Sequence, residues 1–183
     1  MATVVDRLHA DFAALAAYLD AGAEPSLRST ADETFRKALL LSAASYFETT
    51  VTGIILSFCQ DATQPCTPIP EFVRNKALSR QYHTLFDWNA DNANKFFSLF
   101  GDPFKAYMQK RLKEDASLVQ AVQAFMEVGR ERNRLVHMDF GTFALEKTSD
   151  EIYQLFSAAY RFVSDLRTFL DDFANAEKAA LSS

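Results

Sequence analysis

Glycine and proline are scarce in this chain, with five of each among 183 residues. Because these two residues supply many sharp turns, their scarcity favours long helices joined by few turns. The sequence has no glycine-rich phosphate loop, no His-Glu-x-x-His motif and no Cys-x-x-Cys pair. With three histidines and two cysteines it offers no convincing set of metal ligands, so we predict neither a metal site nor a cofactor.

An excess of positive charge is also missing, since the formal net charge is −5. This argues against a protein that coats nucleic acid through bulk charge, but leaves room for a local basic cleft. Charges at Asp6 and Arg7 interrupt any signal peptide, and no run approaches the ~18 apolar residues of a membrane span. Cys59 and Cys66 could meet across a proline-containing loop, but a reduced pair is favoured. We therefore expect a cytoplasmic protein without a membrane segment.

Apolar residues are plentiful: 49% of the chain is hydrophobic and 17 residues are phenylalanine, enough for a sizeable core. The length fits a single domain over residues 1–183. Apolar side chains recur at helical spacing in three long segments, which we predict to be helices over residues 3–20, 29–60 and 149–176. In the second of these, Gly53 would allow a close helix approach. Residues 177–183 are predicted to form a flexible tail.

Residues 61–113 are the least regular part of the chain and are predicted to be an insertion. Short helical patterns occur within it, over residues 71–82, 91–100 and 103–113. An aromatic segment from Tyr82 to Trp88 lacks a clear period. Its aromatic rings and the neighbouring basic residues could stack on and hold RNA. The commoner arrangement is that such rings belong to the core and such lysines are solvated.

The segment from Glu131 to Phe140 closes a further helix, which we expect to begin near Ser117 with that residue as its N-cap. Arg132 falls in the middle of the apolar stripe of this helix. A guanidinium group cannot lose its proton and is costly to bury unpaired, so this face should open onto a cleft, an anion or a partner subunit. The alternative is an arginine paired to a core carboxylate, with His137 capping the last carbonyls of the helix.

Other polar residues share the neighbourhood of Arg132. Asn133 and His137 lie one turn apart on a common face, and Arg130 lies a further turn back. Glu48 lies at the edge of the most apolar helix. We predict that it is close to the motif and helps to hold Arg132 or Arg130, although it could equally be an exposed helical glutamate.

The run Arg132-Asn133-Arg134-Leu135-Val136-His137 resembles the Arg-x4-6-His signature of the HEPN superfamily, in which a polar residue, often Asn, follows the Arg. Ser45-Tyr46-Phe47-Glu48 in an early long helix and the amphipathic helix after the motif agree with this resemblance, which spans about residues 30–175. The chain looks most like the stand-alone prokaryotic members called RiboL-PSP-like. The resemblance implies an all-α bundle of four core helices with short extra helices, assembled as a homodimer.

The same resemblance implies a metal-independent endoribonuclease that cleaves single-stranded RNA by attack of its own 2′-hydroxyl. His137 would act as general acid or base, because its pKa range suits proton transfer near neutrality. Arg132 would hold the phosphate, and Asn133 would orient the histidine or a phosphate oxygen. Arg130 and Arg134 would bind the substrate. No metal or other cofactor is implied.

The spacing of the two main residues favours a shared site. Arg132 and His137 are five residues apart, so they point about 140° from each other on a regular helix. One helix cannot easily aim both at the same atom, whereas two copies related by a two-fold axis can. HEPN resemblance implies such a site along a dimer interface. Some HEPN toxins carry a tyrosine at the position of Asp139, and a partner nucleotidyltransferase modifies it. The aspartate argues against regulation by such a modification and suggests that Asp139 orients His137.

The family context implies a role in toxin–antitoxin pairs, phage defence or stress responses, with an antitoxin or defence-system protein as a restraining partner. The alternative from another class is a non-catalytic HEPN scaffold that binds a partner protein or a nucleotide. A third interpretation is a helical bundle with no site at all.

Overall fold

A computed structural model describes residues 2–63 and 68–181. The described parts are mostly helical and contain no strand, which confirms the all-α prediction. A five-residue π-helical turn, Arg74–Leu78, follows the third helix directly. The α-helices in chain order are α1 (Val4–Ala21), α2 (Pro25–Ala62), α3 (Ile69–Val73), α4 (Tyr82–Leu85), α5 (Asn94–Ser98), α6 (Asp102–Glu114), α7 (Ala116–His137) and α8 (Ser149–Leu181).

The long helices α1, α2, α7 and α8 form the bundle. Helix α2 packs against α1, α7 and α8, and α7 packs along α8. Phe47 of α2 joins three of them, because its ring centroid lies 5.5 Å from that of Phe125 and 5.2 Å from that of Phe156. Aromatic pairs at such spacing contribute roughly 0.5–1.5 kcal/mol each beyond the burial of their surface. The phenylalanine-rich sequence thus builds one continuous core.

Two helix boundaries differ from the sequence-based expectation. Asp115, rather than Ser117, caps α7, since its Oδ1 accepts hydrogen bonds from the backbone N–H groups of Ser117 and Leu118. Both residues are accepted N-cap types, so spacing alone could not choose between them. Helix α8 continues to Leu181, so residues 177–181 of the predicted tail are helical.

Pro25 stands in the first turn of α2, where a backbone N–H would have no partner within the helix, so the missing N–H of proline costs nothing.

Helix α2 corrects the prediction that no segment is long and apolar enough to span a membrane. It contains an 18-residue window with a mean hydropathy of 1.4, so by length and composition alone it could cross a membrane. The central helix of a bundle has the same composition, and α2 lies between three other helices here. Cys59 is half-buried near its end, and burial raises the pKa of its thiol. The predicted relation to Cys66 lies outside the described residues, as does part of the proline-containing loop.

The loop after α7 is fastened to α2 by a buried lysine. The Lys37 side chain is only 3% exposed. Its Nζ donates to the carbonyl oxygen of Phe140 at 2.8 Å and to Oε1 of Glu33 at 3.0 Å. This pairing satisfies the buried charge and fixes the chain where it leaves the motif helix.

Candidate active site

One face of α7 forms the wall of a cavity of about 340 Å³. Helix α2 lies opposite through Phe47 and Glu48, and the segment from Arg80 to Trp88 closes the remaining side. From one helical turn to the next, the α7 residues that line it are three or four positions apart: Phe125, Val128, Gly129, Arg132, Asn133, Val136 and His137. Such steps keep all seven on one helical face.

Arg132 is half-buried in this cavity and has no carboxylate partner among the described residues. Its Nη1 donates to Oδ1 of Asn133 at 3.1 Å. A neutral amide does not compensate a guanidinium charge, so the remaining N–H donors are available to an anion. The alternative of an arginine paired to a core carboxylate is wrong, and the expectation of a cleft agrees with the geometry. Asn133 contacts the arginine through its Oδ1, while its predicted role of orienting the histidine or a phosphate oxygen stays a prediction.

His137 is the last residue of α7 and is exposed. Within residues 2–63 and 68–181 its side chain has no hydrogen-bonding partner, so it does not cap the helix carbonyls. Asp139 does not orient it either, because Oδ1 of Asp139 accepts from the backbone N–H of Gly141 at 2.9 Å. The Asp139 carbonyl accepts from the amides of the same turn. Asp139 therefore shapes the turn after the motif, which corrects the predicted role.

Arg132 and His137 line the same cavity of a single chain. The prediction was that one helix cannot easily aim both residues at the same atom, and lining one cavity leaves that prediction untested. A dimer is not needed to bring Arg132 and His137 to one cavity.

A second cavity of about 540 Å³ adjoins the first along the neighbouring face of α7, where Arg130, Asn133, Arg134 and His137 line it. Arg130 already donates to the carbonyl oxygens of Trp88 and Ala90 and pairs with Asp91. It fastens the aromatic segment to α7. Arg130 and Arg134 were both predicted to bind substrate, which stays a prediction.

Arg134 also has protein partners in this cavity. Its Nη1 lies 2.9 Å from Oε1 of the buried Glu131, one turn earlier on α7. Its guanidinium carbon lies 5.6 Å from the centre of the Phe143 ring. Of the three arginines of the motif helix, Arg132 is thus the one without a carboxylate partner within the described ranges.

Glu48 lines the first cavity together with Arg132. The prediction that it lies close to the motif agrees with this position. Glu48 forms no ion pair with Arg130, Arg132 or Arg134 in the described chain, so it does not hold these arginines as predicted. Arg130 is held by Asp91 instead. Glu48 thus lines the cavity, and its carboxylate has no ion-pair partner among the described residues.

Aromatic residues of the irregular segment complete the cavity. The Trp88 indole N–H donates to the carbonyl oxygen of His83 at 3.0 Å, which fixes the ring. A Cβ added at Gly129 would collide with the six-membered ring of Trp88, so this glycine is what lets the indole lie against the α7 backbone. Burial raises the pKa of the Tyr82 phenol, with Glu48 raising it further and Arg132 opposing. The pKa of Tyr82 therefore responds to the charges of both Glu48 and Arg132.

The family is decided by comparison with known proteins. The sequence model of the RiboL-PSP-HEPN family matches residues 6–172. The chain belongs to the RiboL-PSP-HEPN family. The HEPN resemblance is thus confirmed, and the matched range includes both the motif and the irregular segment. No curated protein and no solved structure matches the chain.

Sequence reasoning could not place part of the site of this RiboL-PSP-HEPN chain. It raised the aromatic segment and its basic neighbours as a possible RNA-binding surface, but the segment has no period that would place Arg80, Tyr82, His83 and Trp88 at this cavity. A further signal was Gly129, a glycine within an apolar helical stripe, where a close approach of another side chain is a common reason. Among the described residues no group of three or more His, Cys, Asp or Glu could hold a metal ion.

Proposed function

We propose that this RiboL-PSP-HEPN chain is an endoribonuclease that cleaves single-stranded RNA without a metal. The observation that carries the proposal is the cation at Arg132, which has no carboxylate partner among residues 2–63 and 68–181 and shares a cavity with His137. In a shared cavity, a guanidinium can bind a phosphodiester and an exposed imidazole can exchange protons with it.

The reaction is a transesterification within the RNA. The 2′-oxygen forms a bond to phosphorus and loses its proton to a base, while the bond from phosphorus to the 5′-oxygen breaks and that oxygen gains a proton. His137 exchanges one of these protons, and Arg132 stabilises the negative charge that builds on the phosphorane. Asn133 accepts from Arg132 and so holds the guanidinium in place. The products are a 2′,3′-cyclic phosphate and a 5′-hydroxyl.

A homodimer is part of the proposal, because the two proton transfers need a base and an acid. Two copies of His137 across a two-fold axis would supply both. Exposed apolar side chains beside the motif support an interface there: Val136 is 44% exposed and Met138 is 60% exposed. A role in toxin–antitoxin control, phage defence or stress response in the cytoplasm, with a restraining protein partner, rests on the family context alone.

Single substitutions test the assignment of the site. Wild type should cleave labelled single-stranded RNA, whereas His137→Ala should slow cleavage by about 10²–10⁴-fold and Arg132→Ala by about 10²–10³-fold. Arg7→Ala, at an exposed position on α1, is the matched control and should cleave like wild type. Single-stranded DNA should remain uncut because it has no 2′-hydroxyl.

The proposal fails if wild type leaves RNA whole or if His137→Ala cleaves as fast as wild type. In that case the alternative of a non-catalytic scaffold for a partner protein or a nucleotide takes its place.

A further inference from the structure

We propose that the part of the 340 Å³ cavity lined by Phe47, Tyr82 and Trp88 is a guanine-binding subsite, in which Glu48 recognises the edge of the base. The inference deepens the proposed function, since it rests on a nuclease site at Arg132 to place the guanosine next to the bond that is cut. Binding of the base itself depends only on the cavity and can be measured without catalysis.

The walls of the cavity suit a flat aromatic ligand. Phe47, Tyr82 and Trp88 line it, and the Tyr82 and Trp88 ring centroids are 5.8 Å apart. Its volume lies at the lower end of the range for small-molecule sites, which are mostly apolar with few polar groups. Unpaired RNA bases bind proteins through such surfaces, by stacking on aromatic rings. The cavity is therefore matched to a single base.

The polar group that selects the base is Glu48. Its carboxylate is half-buried and lacks a partner in the part of the chain that the structure describes, so it is ready to accept two N–H donors. Guanine presents two adjacent donors, its ring N1–H and its exocyclic amine, on one edge. Adenine and cytosine present one amine beside a ring acceptor that would face the carboxylate. Uracil presents one N–H between two carbonyl oxygens. Guanine is therefore the base that fits.

The charges of the cavity match a nucleotide with its phosphate. Arg132 and Arg80 line it together with Glu48, so cationic groups for a phosphate and an anionic acceptor for a base occur in one cavity. Arg80 has a φ of 60°, in the left-handed region that side chains other than glycine rarely adopt. Residues held in that region are often found at ligand sites.

Trp88 provides a direct test, because it is the single tryptophan of the chain and lines the cavity. Titration of the full-length protein with guanosine 3′-monophosphate should change its fluorescence. The dissociation constant should be roughly 5- to 150-fold lower than for the 3′-monophosphates of adenosine, cytidine and uridine, the range that a bidentate base contact discriminates. Glu48→Gln should remove most of this preference with little change in melting temperature. Glu177→Gln, on the exposed end of α8, should retain it.

Equal affinity for the four nucleotides, or a guanine preference unchanged in Glu48→Gln, would overturn the subsite. The test of the guanine subsite can fail independently of the test of RNA cleavage. If wild type selects the guanine nucleotide but leaves RNA whole, the nuclease proposal fails and the subsite stands. If wild type cleaves RNA with no preference for sites next to guanosine, the subsite fails and the nuclease stands.

Discussion

Arg132 illustrates at the scale of one residue how a binding site can cost stability. Its guanidinium is half-buried with a neutral amide as its hydrogen-bonding partner. Burying a charge without a counter-charge is unfavourable. We therefore expect Arg132→Met, which keeps the length and removes the charge, to raise the free energy of unfolding by about 0.5–2 kcal/mol while slowing RNA cleavage by about 10²–10³-fold. Urea denaturation together with a cleavage assay measures both effects.

Arg130→Met is the matched control on the same helix. Arg130 donates to two carbonyl oxygens and pairs with Asp91, so its removal leaves these acceptors without donors. Loss of such charged hydrogen bonds costs about 1.5–3 kcal/mol. A lower stability for Arg132→Met than for Arg130→Met would contradict our account of both residues.

Gly129 gives a second prediction at this scale. Gly129→Ala must displace Trp88, because the new methyl group would overlap the indole ring. We expect a loss of about 1–3 kcal/mol in stability, as is usual for overpacking, and a change in Trp88 fluorescence. Gly53→Ala meets nothing within 4 Å in the middle of α2, so it should instead stabilise the protein by about 0.4–1 kcal/mol. Chemical denaturation followed by fluorescence compares the two, and a stabilised Gly129→Ala would contradict the packing.

The same pair of glycines shows what the sequence could and could not predict about the site. Helical spacing and the motif pointed to Arg132, Asn133 and His137, because local periodicity determines which residues share a face. The prediction of a close approach at Gly53 was wrong, and the approach occurs at Gly129. The indole that packs there comes from residue 88, and spacing along one helix carries no information about such a distant partner. The pairing of Arg130 with Asp91 was missed for the same reason.

At the scale of whole elements, long apolar patterns gave helix positions to within a few residues. The segments predicted over residues 3–20 and 29–60 correspond to α1 and α2, Val4–Ala21 and Pro25–Ala62. The ends were harder because capping depends on which side chain reaches the free N–H groups. The short helices of residues 61–113 are held by packing of their aromatic side chains, such as Phe96, rather than by a period of their own.

The cap of α7 gives a prediction about pH. The backbone N–H of Leu118, together with Arg161 and Ser117, lowers the pKa of Asp115 from about 3.8 to about 2. A carboxylate whose pKa is depressed by folding stabilises the protein above pH 4 and loses that contribution as the pH falls towards 2. Asparagine also caps helices but does not titrate. The melting temperature of Asp115→Asn should therefore lie below that of wild type at pH 7 and approach it near pH 2.

Asp172→Asn, at an exposed position on α8, is the control for Asp115→Asn and should show no such convergence. A gap between wild type and Asp115→Asn that stays constant from pH 7 to pH 2 would rule out the cap as the source of this pH dependence.

At the scale of the whole molecule, the account predicts a homodimer joined near the ends of the motif helices. Met138→Asp places a charge on an exposed apolar side chain beside His137, so it should shift sedimentation at micromolar concentration from dimer to monomer and reduce cleavage. Leu181→Asp, at an 88% exposed position at the end of α8, should remain dimeric. A monomeric wild type at that concentration would refute the dimer. It would leave the cavity that Arg132 and His137 line within one chain unaffected.

The chemical nature of the RNA ends tests the central claim most directly. Purified wild type is incubated with end-labelled single-stranded RNA in EDTA, and the products are resolved by mass spectrometry beside those of His137→Ala. The account predicts new 2′,3′-cyclic phosphate and 5′-hydroxyl ends with wild type, and their formation about 10²–10⁴-fold more slowly with His137→Ala. RNA that stays intact with wild type, or products that carry 5′-phosphates, would contradict it.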